Sequence, residues 1–228
     1  MTFTREAHMI EPIQLLMYNV LQLDTIVKEF SAGYGIADLV GASLSKKSHE
    51  MRCGMGQMLP LSRHAVQVMF TLRHRSRTSI DYLANRVALS NSTLKRQVLP
   101  SLAALGLVER YSDGYVRRIR ELPPPADRIV AVEAKQTRWR DAIMQARRYT
   151  FFADETYIAV WNGTARLVDR NLLYRHRLGL IGVDPDGAQV LVTAPTRKPR
   201  QPDMHRFCAE FLYGQALLDG VLKSTSCS

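Results

Sequence analysis

The triplet Glu133-Ala134-Lys135 closes an apolar run, Ile129-Val130-Ala131-Val132, and Asp38 interrupts a second one, Ile36-Ala37-Asp38-Leu39-Val40. Two carboxylates and a lysine carried on neighbouring buried strands are the minimal kit for holding a divalent metal against a phosphodiester. An acid, any residue and a lysine occur together about once by chance in a chain of this length, so the setting decides. In a strand, residues two apart project to one side, which gives Glu133 and Lys135 a common face and turns Ala134 inward. Charge is normally excluded from a buried sheet. Here it stands at the strand's end, where a site opens.

Elements must position these groups. Residues 138–152 have helical spacing, with Trp139, Ile143, Ala146 and Thr150 on one face and Gln145 and Tyr149 stacked four apart. The order is therefore a strand with Asp38, a strand with Glu133 and Lys135, then a helix with Gln145. In these four residues the chain resembles the PD-(D/E)xK nuclease superfamily, over roughly residues 10–45 and 125–195. Ala37 stands where many members carry proline. The resemblance implies an α/β fold, a restriction-endonuclease-like mixed sheet flanked by helices. It also implies Mg²⁺ or Mn²⁺ held by Asp38, Glu133 and the Ala134 carbonyl, as hard oxygen ligands suit those ions. Lys135 would orient or deprotonate the water, and Gln145 would bind that water or a backbone phosphate. Glu11 or Glu29 would supply a further acid.

The chain has 228 residues, 46% of them apolar, enough for a substantial core. No apolar run approaches the ~18 residues of a membrane span, and the first residues mix charge with polarity, so the expectation is a cytoplasmic, nucleoid-associated protein without a membrane partner. Cys53, Cys208 and Cys227 lack close spacing, and no histidine falls into a ligand pattern with them. The net charge of +10 favours a polyanionic partner. Residues 60–121 hold 11 lysines and arginines against 4 acids, whereas 1–59 hold 5 against 6 and 122–228 hold 15 against 11.

Residues 41–60 and the proline tract 121–125 read as linkers around that basic segment. Between them lie three helical patterns, over 62–74, 79–87 and from Ser90 to Gly106, then a hairpin turning at Ser112-Asp113-Gly114. This arrangement resembles a winged helix-turn-helix. Carried onto this chain, the usual docking makes Asn91, Ser92, Thr93, Lys95 and Arg96 the groove contacts, with Arg110, Arg117 and Arg118 on the wing. Pro100 should kink the third helix. The expected organisation is a discontinuous nuclease-like domain, 1–59 and 122–228, interrupted by an inserted winged-helix DNA-binding domain, 60–121. In its outer parts we expect a helix at 11–23, strands at 25–30, 36–42, 156–161, 178–183 and 189–192, a helix at 165–176 and a last one at 204–218.

The first functional expectation is a metal-dependent DNA endonuclease acting on double-stranded DNA, with homodimerisation as the superfamily's common means of cutting both strands. The second is a catalytically inactive, nuclease-fold DNA-binding regulator. A third is a module docking on a larger nuclease or recombination complex.

Overall fold

Ile13, Leu16 and Met17, three and four apart, bury one stripe of the first helix, α1 (Ile10–Asn19). It belongs to a computed structural model that describes residues 6–222 except 32, 34, 57, 58 and 75. A 3₁₀ turn, Glu6–Met9, precedes it, and β1 (Thr25–Ser31) and β2 (Ile36–Leu44) follow. The middle of the chain forms α2 (Lys46–Gly54), α3 (Arg63–Thr71), β3 (Arg77–Ser79), α4 (Ile80–Val87), α5 (Asn91–Thr93), α6 (Leu99–Ala104), β4 (Val108–Arg110) and β5 (Tyr115–Arg118). The remainder gives β6 (Ala126–Lys135), α7 (Trp139–Tyr149), β7 (Glu155–Trp161), α8 (Asn162–Ala165), α9 (Arg170–His176), β8 (Gly179–Asp184), β9 (Gly187–Val192) and α10 (Pro202–Leu218). None of the described helices is long and apolar enough to cross a membrane.

The described residues divide into two compact units, one made of those up to Ser45 with those from Pro125 to Leu222, the other of Lys46–Pro124. The first is α/β. Its six strands run in the order β1-β2-β6-β7-β8-β9, with β6, β7 and β8 parallel and the other neighbouring pairs antiparallel. β6 lies inside the sheet and is covered on both sides, which is why its sequence reads as a continuous apolar run. Ile129 and Ala131 face a core with α7 and α10, and Val130, Val132 and Ala134 face a second core with α1.

Two expectations change here. The helix expected over 165–176 starts only at Arg170, as α9, α8 having ended at Ala165, because Asp169 accepts the Asn171 N–H at 2.8 Å and caps the start there. Helix α1 stops at Asn19, short of residue 23; Gln22 then adopts a left-handed φ of 54° before β1.

Close approach fixes Gly179 in β8. A Cβ there would lie 2.3 Å from the Tyr157 ring and 2.8 Å from the Ala194 backbone nitrogen. Gly179→Ala should therefore cost about 1–3 kcal/mol through overpacking, read as a lowered urea midpoint at unchanged m-value; an unshifted midpoint would refute it.

In the second unit, β3, β5 and β4 make a three-stranded antiparallel sheet beside the helices. The residues expected as a linker, 41–60, instead continue β2 to Leu44 and form α2, so the boundary falls at 45/46 instead of 59/60. Arg52 explains why α2 belongs here: its buried guanidinium donates to the Pro123 carbonyl through Nε at 3.2 Å and Nη2 at 3.0 Å. Ser62, Ser79 and Ser90 cap α3, α4 and α5 by accepting backbone N–H groups. The kink expected at Pro100 takes the form of a π-helical turn, Leu94–Val98, just before α6. The proline ring removes a donor and crowds the carbonyl four residues back, and the wider turn relieves both, with Leu99 N–H bonding to Leu94 O.

Candidate active site

β2 and β6 are antiparallel neighbours, with Leu39 opposite Val132. That register brings Asp38 to the end of β6, although 96 residues separate it from Ala134. Asp38 Oδ2 accepts the Ala134 N–H at 2.7 Å. Glu133 and Lys135 share a face as their spacing requires, with Lys135 Nζ 2.7 Å from Glu133 Oε1. The same ammonium donates to the Ala134 carbonyl at 3.1 Å and lies 3.8 Å from Asp38 and 3.9 Å from Glu6. Four oxygen-bearing groups thus surround one cation.

The site is more enclosed than a strand-end position implies. Glu133 is only 1% exposed, while the side chains of Asp38 and Glu6 are 30% and 40% exposed. Burial is affordable because the pair is compensated: Lys135 faces one carboxylate oxygen and the Tyr149 hydroxyl lies 2.5 Å from the other. The Lys135 contact lies off hydrogen-bonding angles, so Glu133 Oε1 is buried with a charge partner but no hydrogen bond. A cleft of about 180 Å³ opens beside Asp38, Glu6, Glu29 and Ala134. Glu29 holds a left-handed φ of 52° inside β1, a strained setting of the kind that gathers at functional sites.

Gln145 is half-buried on α7 and makes no hydrogen bond to these groups among the described residues. Tyr149, one turn further along α7, is the residue that reaches Glu133. Glu11 is exposed on α1, and the acid that approaches Lys135 from the N-terminal side is Glu6, held also by Arg138 at 3.8 Å. Glu6 has no sequence signal, since Lys135 comes after the whole of the inserted segment, Lys46–Pro124. Tyr149 had one, its four-residue spacing from Gln145.

Among the described residues no three His, Cys, Asp or Glu side chains are gathered closely enough to hold a metal ion as they stand. The chemistry of the donors nevertheless fits a hard divalent cation: all are oxygens, three are carboxylates, and a lysine ammonium already occupies their centre.

Burial pushes the Glu133 carboxyl above its ordinary 4.5, and the negative charge of Asp38 adds to this, against the opposing pull of Lys135 and Tyr149. Glu133, Asp38 and Glu6 outweigh desolvation at Lys135 and raise its pKa above 10.5. The Tyr149 hydroxyl faces both Glu133 Oε2 and, at 2.8 Å, the Ile36 carbonyl. A phenol has one proton and cannot donate to both. The hydroxyl therefore donates to one of these two oxygens at a time.

The linkage has a definite sign. A carboxyl whose folded pKa is raised lends stability in full below its unfolded value near 4.5, and loses it as pH climbs through the folded value. Lys135 contributes no slope there, its change lying above pH 10.5. Urea midpoints at pH 5 and pH 8 should fall with rising pH in the wild type and fall less in Glu133→Gln; equal slopes would dismiss the assignment.

The nucleic-acid candidates of the second unit divide. Ser92, Lys95, Arg96 and Arg110 are exposed, and Thr93 is half-buried with its N–H on the Ser90 cap. Asn91 is exposed and donates to Asp81 at 2.6 Å. Arg117 pairs with Glu109 across the β4–β5 hairpin at 2.7 Å, and Arg118 donates to the Met69 carbonyl at 3.3 Å. Those two arginines thus help hold the unit together, which leaves Arg110 as the outward cation of the three. Sequence reading missed Arg77, which stacks 4.1 Å from the Tyr111 ring centre and pairs with Asp113 at the hairpin turn.

No protein-family model matches the chain, and no curated protein matches its sequence. A structural match exists to the SPO1766 protein of unknown function from Silicibacter pomeroyi, with 21% sequence identity, a TM-score of 0.32, and coverage of 40% of this chain and 60% of that one.

Proposed function

We propose that the α/β unit is a metal-dependent DNA endonuclease domain of the PD-(D/E)xK, restriction-endonuclease-like kind, and that the inserted unit is a winged helix that holds it on duplex DNA. One observation carries the reading: Asp38, from a distant part of the sequence, meets the consecutive groups Glu133, the Ala134 backbone and Lys135 with contacts of 2.7–3.8 Å. Asp38, Glu133 and the Ala134 carbonyl would hold Mg²⁺ or Mn²⁺. When bound, such an ion supplies a nucleophilic water at neutral pH and offsets charge on the phosphorane-like transition state.

The chain's own residues have separate duties. Lys135 sits where it can orient a water and counter phosphate charge. Tyr149 fixes the Glu133 carboxylate from α7, and the Ala134 N–H fixes Asp38. Glu6 adds a third negative charge from the 3₁₀ turn. In the inserted unit, the sheet order β3-β5-β4 and the capped, exposed start of α5 support the winged-helix reading. Ser92, Lys95, Arg96 and Arg110 are its outward polar and basic groups.

Near-complete burial of Glu133 against Lys135 favours one other reading, a DNA-binding regulator whose cluster neutralises itself and does not cut. Incubation of supercoiled plasmid with Mg²⁺ or Mn²⁺ decides between them. Nicking or linearisation that requires the metal and disappears in Asp38→Ala supports the endonuclease. DNA binding by a folded wild type that leaves every substrate intact supports the regulator.

A further inference from the structure

A cleft of about 790 Å³ in the α/β unit lies along the second half of α7, the end of α9 and the connector before α10. Seven arginine and lysine side chains line it, and no Asp or Glu does. Arg147 and Arg148 come from α7, Arg175 and Arg177 from the end of α9, and Arg197 and Arg200 from the connector; all but Arg197 are exposed. None of the seven has a carboxylate partner among the described residues. Arg197 Nη2 is buried with no hydrogen-bond partner among the described residues.

Like charges crowded without counterions imply an anion that completes them. Six of the seven are arginines, whose planar fork matches phosphate oxygens in pairs. Phe151 supplies an apolar face beside them, with the Arg200 guanidinium 5.6 Å from its ring centre. Cations along a groove together with an aromatic face suit a strand whose bases are unpaired. The volume suits a few nucleotides rather than a duplex, falling within the roughly 300–1,000 Å³ of sites for small ligands. The local field is visible on His176, which burial and then Arg147 and Arg175 hold below its ordinary pKa. Burial, Arg200 and Arg177 lower Arg197 in the same way.

We infer that this cleft binds the sugar-phosphate backbone of a single nucleic-acid strand through two or more phosphates. Its lining shares no residue with the groups assigned to cleavage or with the inserted unit, so the inference stands whether or not the acid cluster cuts.

Fluorescence anisotropy of a 5′-labelled dT12 strand on the full chain tests it, in EDTA so that cleavage plays no part. The triple variant Arg147→Gln/Arg175→Gln/Arg200→Gln should raise Kd at least tenfold. It should also shallow the dependence of log K on log salt by about 2, at ~0.7 for each lost phosphate contact. Lys46→Gln/Lys47→Gln, at two exposed lysines of α2 that belong to neither site, should change the same Kd less than twofold. A urea midpoint confirms folding, and if the triple variant is unstable, Arg175→Gln and Arg200→Gln singly should each shallow the slope by about 0.7. A triple variant that binds dT12 with unchanged Kd and slope overturns the inference. So does displacement of dT12 by micromolar ATP or pyrophosphate, which would make the cleft a site for free polyphosphate.

Discussion

Under the proposed endonuclease function, Lys135→Met is expected to slow DNA cleavage by about 10²- to 10³-fold, the usual scale for losing one preorganised group that meets transition-state charge, and to tighten Mn²⁺ binding. The two effects separate because the ammonium holds the oxygens that a divalent ion would use. It lies 2.7 Å from Glu133 Oε1 and 3.1 Å from the Ala134 carbonyl. Removing it takes away a competing cation, while methionine keeps most of the side-chain volume. Glu133 then loses the partner that opposes its raised pKa, so Mn²⁺ affinity should also fall more steeply with acid than in the wild type. Titration calorimetry with Mn²⁺ at pH 6 and pH 8, beside plasmid nicking, reads both. Weaker Mn²⁺ binding would show that Lys135 serves to hold the carboxylates in position, and unchanged nicking would remove it from the site.

Arg52→Ala should destabilise the inserted unit by roughly 3–5 kcal/mol, the scale of truncating a large buried side chain and leaving its acceptor unpaired. The guanidinium is fully buried, and its loss leaves the Pro123 carbonyl without those donors and a large cavity behind. Both tryptophans, Trp139 and Trp161, lie in the α/β unit. Tryptophan fluorescence therefore follows one unit, whereas circular dichroism follows helices of both. In the variant, part of the dichroism should melt at lower urea than the fluorescence does. Coincident transitions at the wild-type midpoint would mean that Arg52 is dispensable.

The strands and the longer helices were legible wherever local pattern and burial agree. The run at 129–132 is apolar on both faces because β6 has neighbours and helices on all sides, and the spacing in α7 shows which residues meet the core. Asp38, Glu133 and Lys135 were found because a charge inside such a run contradicts its surroundings. Glu6 and Tyr149 were harder, since each acts through a contact distant in sequence with no period to announce it. Residues 46–54 were misread for a related reason. Their helix has little apolar character of its own, and its place depends on one arginine meeting a carbonyl 71 residues away. The wing arginines show the reverse error: basic composition marks Arg117 and Arg118 as outward groups, but a glutamate and a backbone carbonyl engage them.

β2 and β6 adjoin each other in the sheet, Leu44 stands opposite Ala126, and the Ser45 N–H donates to the Pro125 carbonyl at 2.9 Å. The 79 residues of Lys46–Pro124 therefore occupy what would otherwise be the tip of a hairpin. They form a parenthesis in the chain: a two-residue turn in their place would leave the surrounding strands with the same neighbours. Such a trimmed protein would keep both the acid cluster and the arginine cleft, and so would ask of the α/β unit alone what it can do to a nucleic acid.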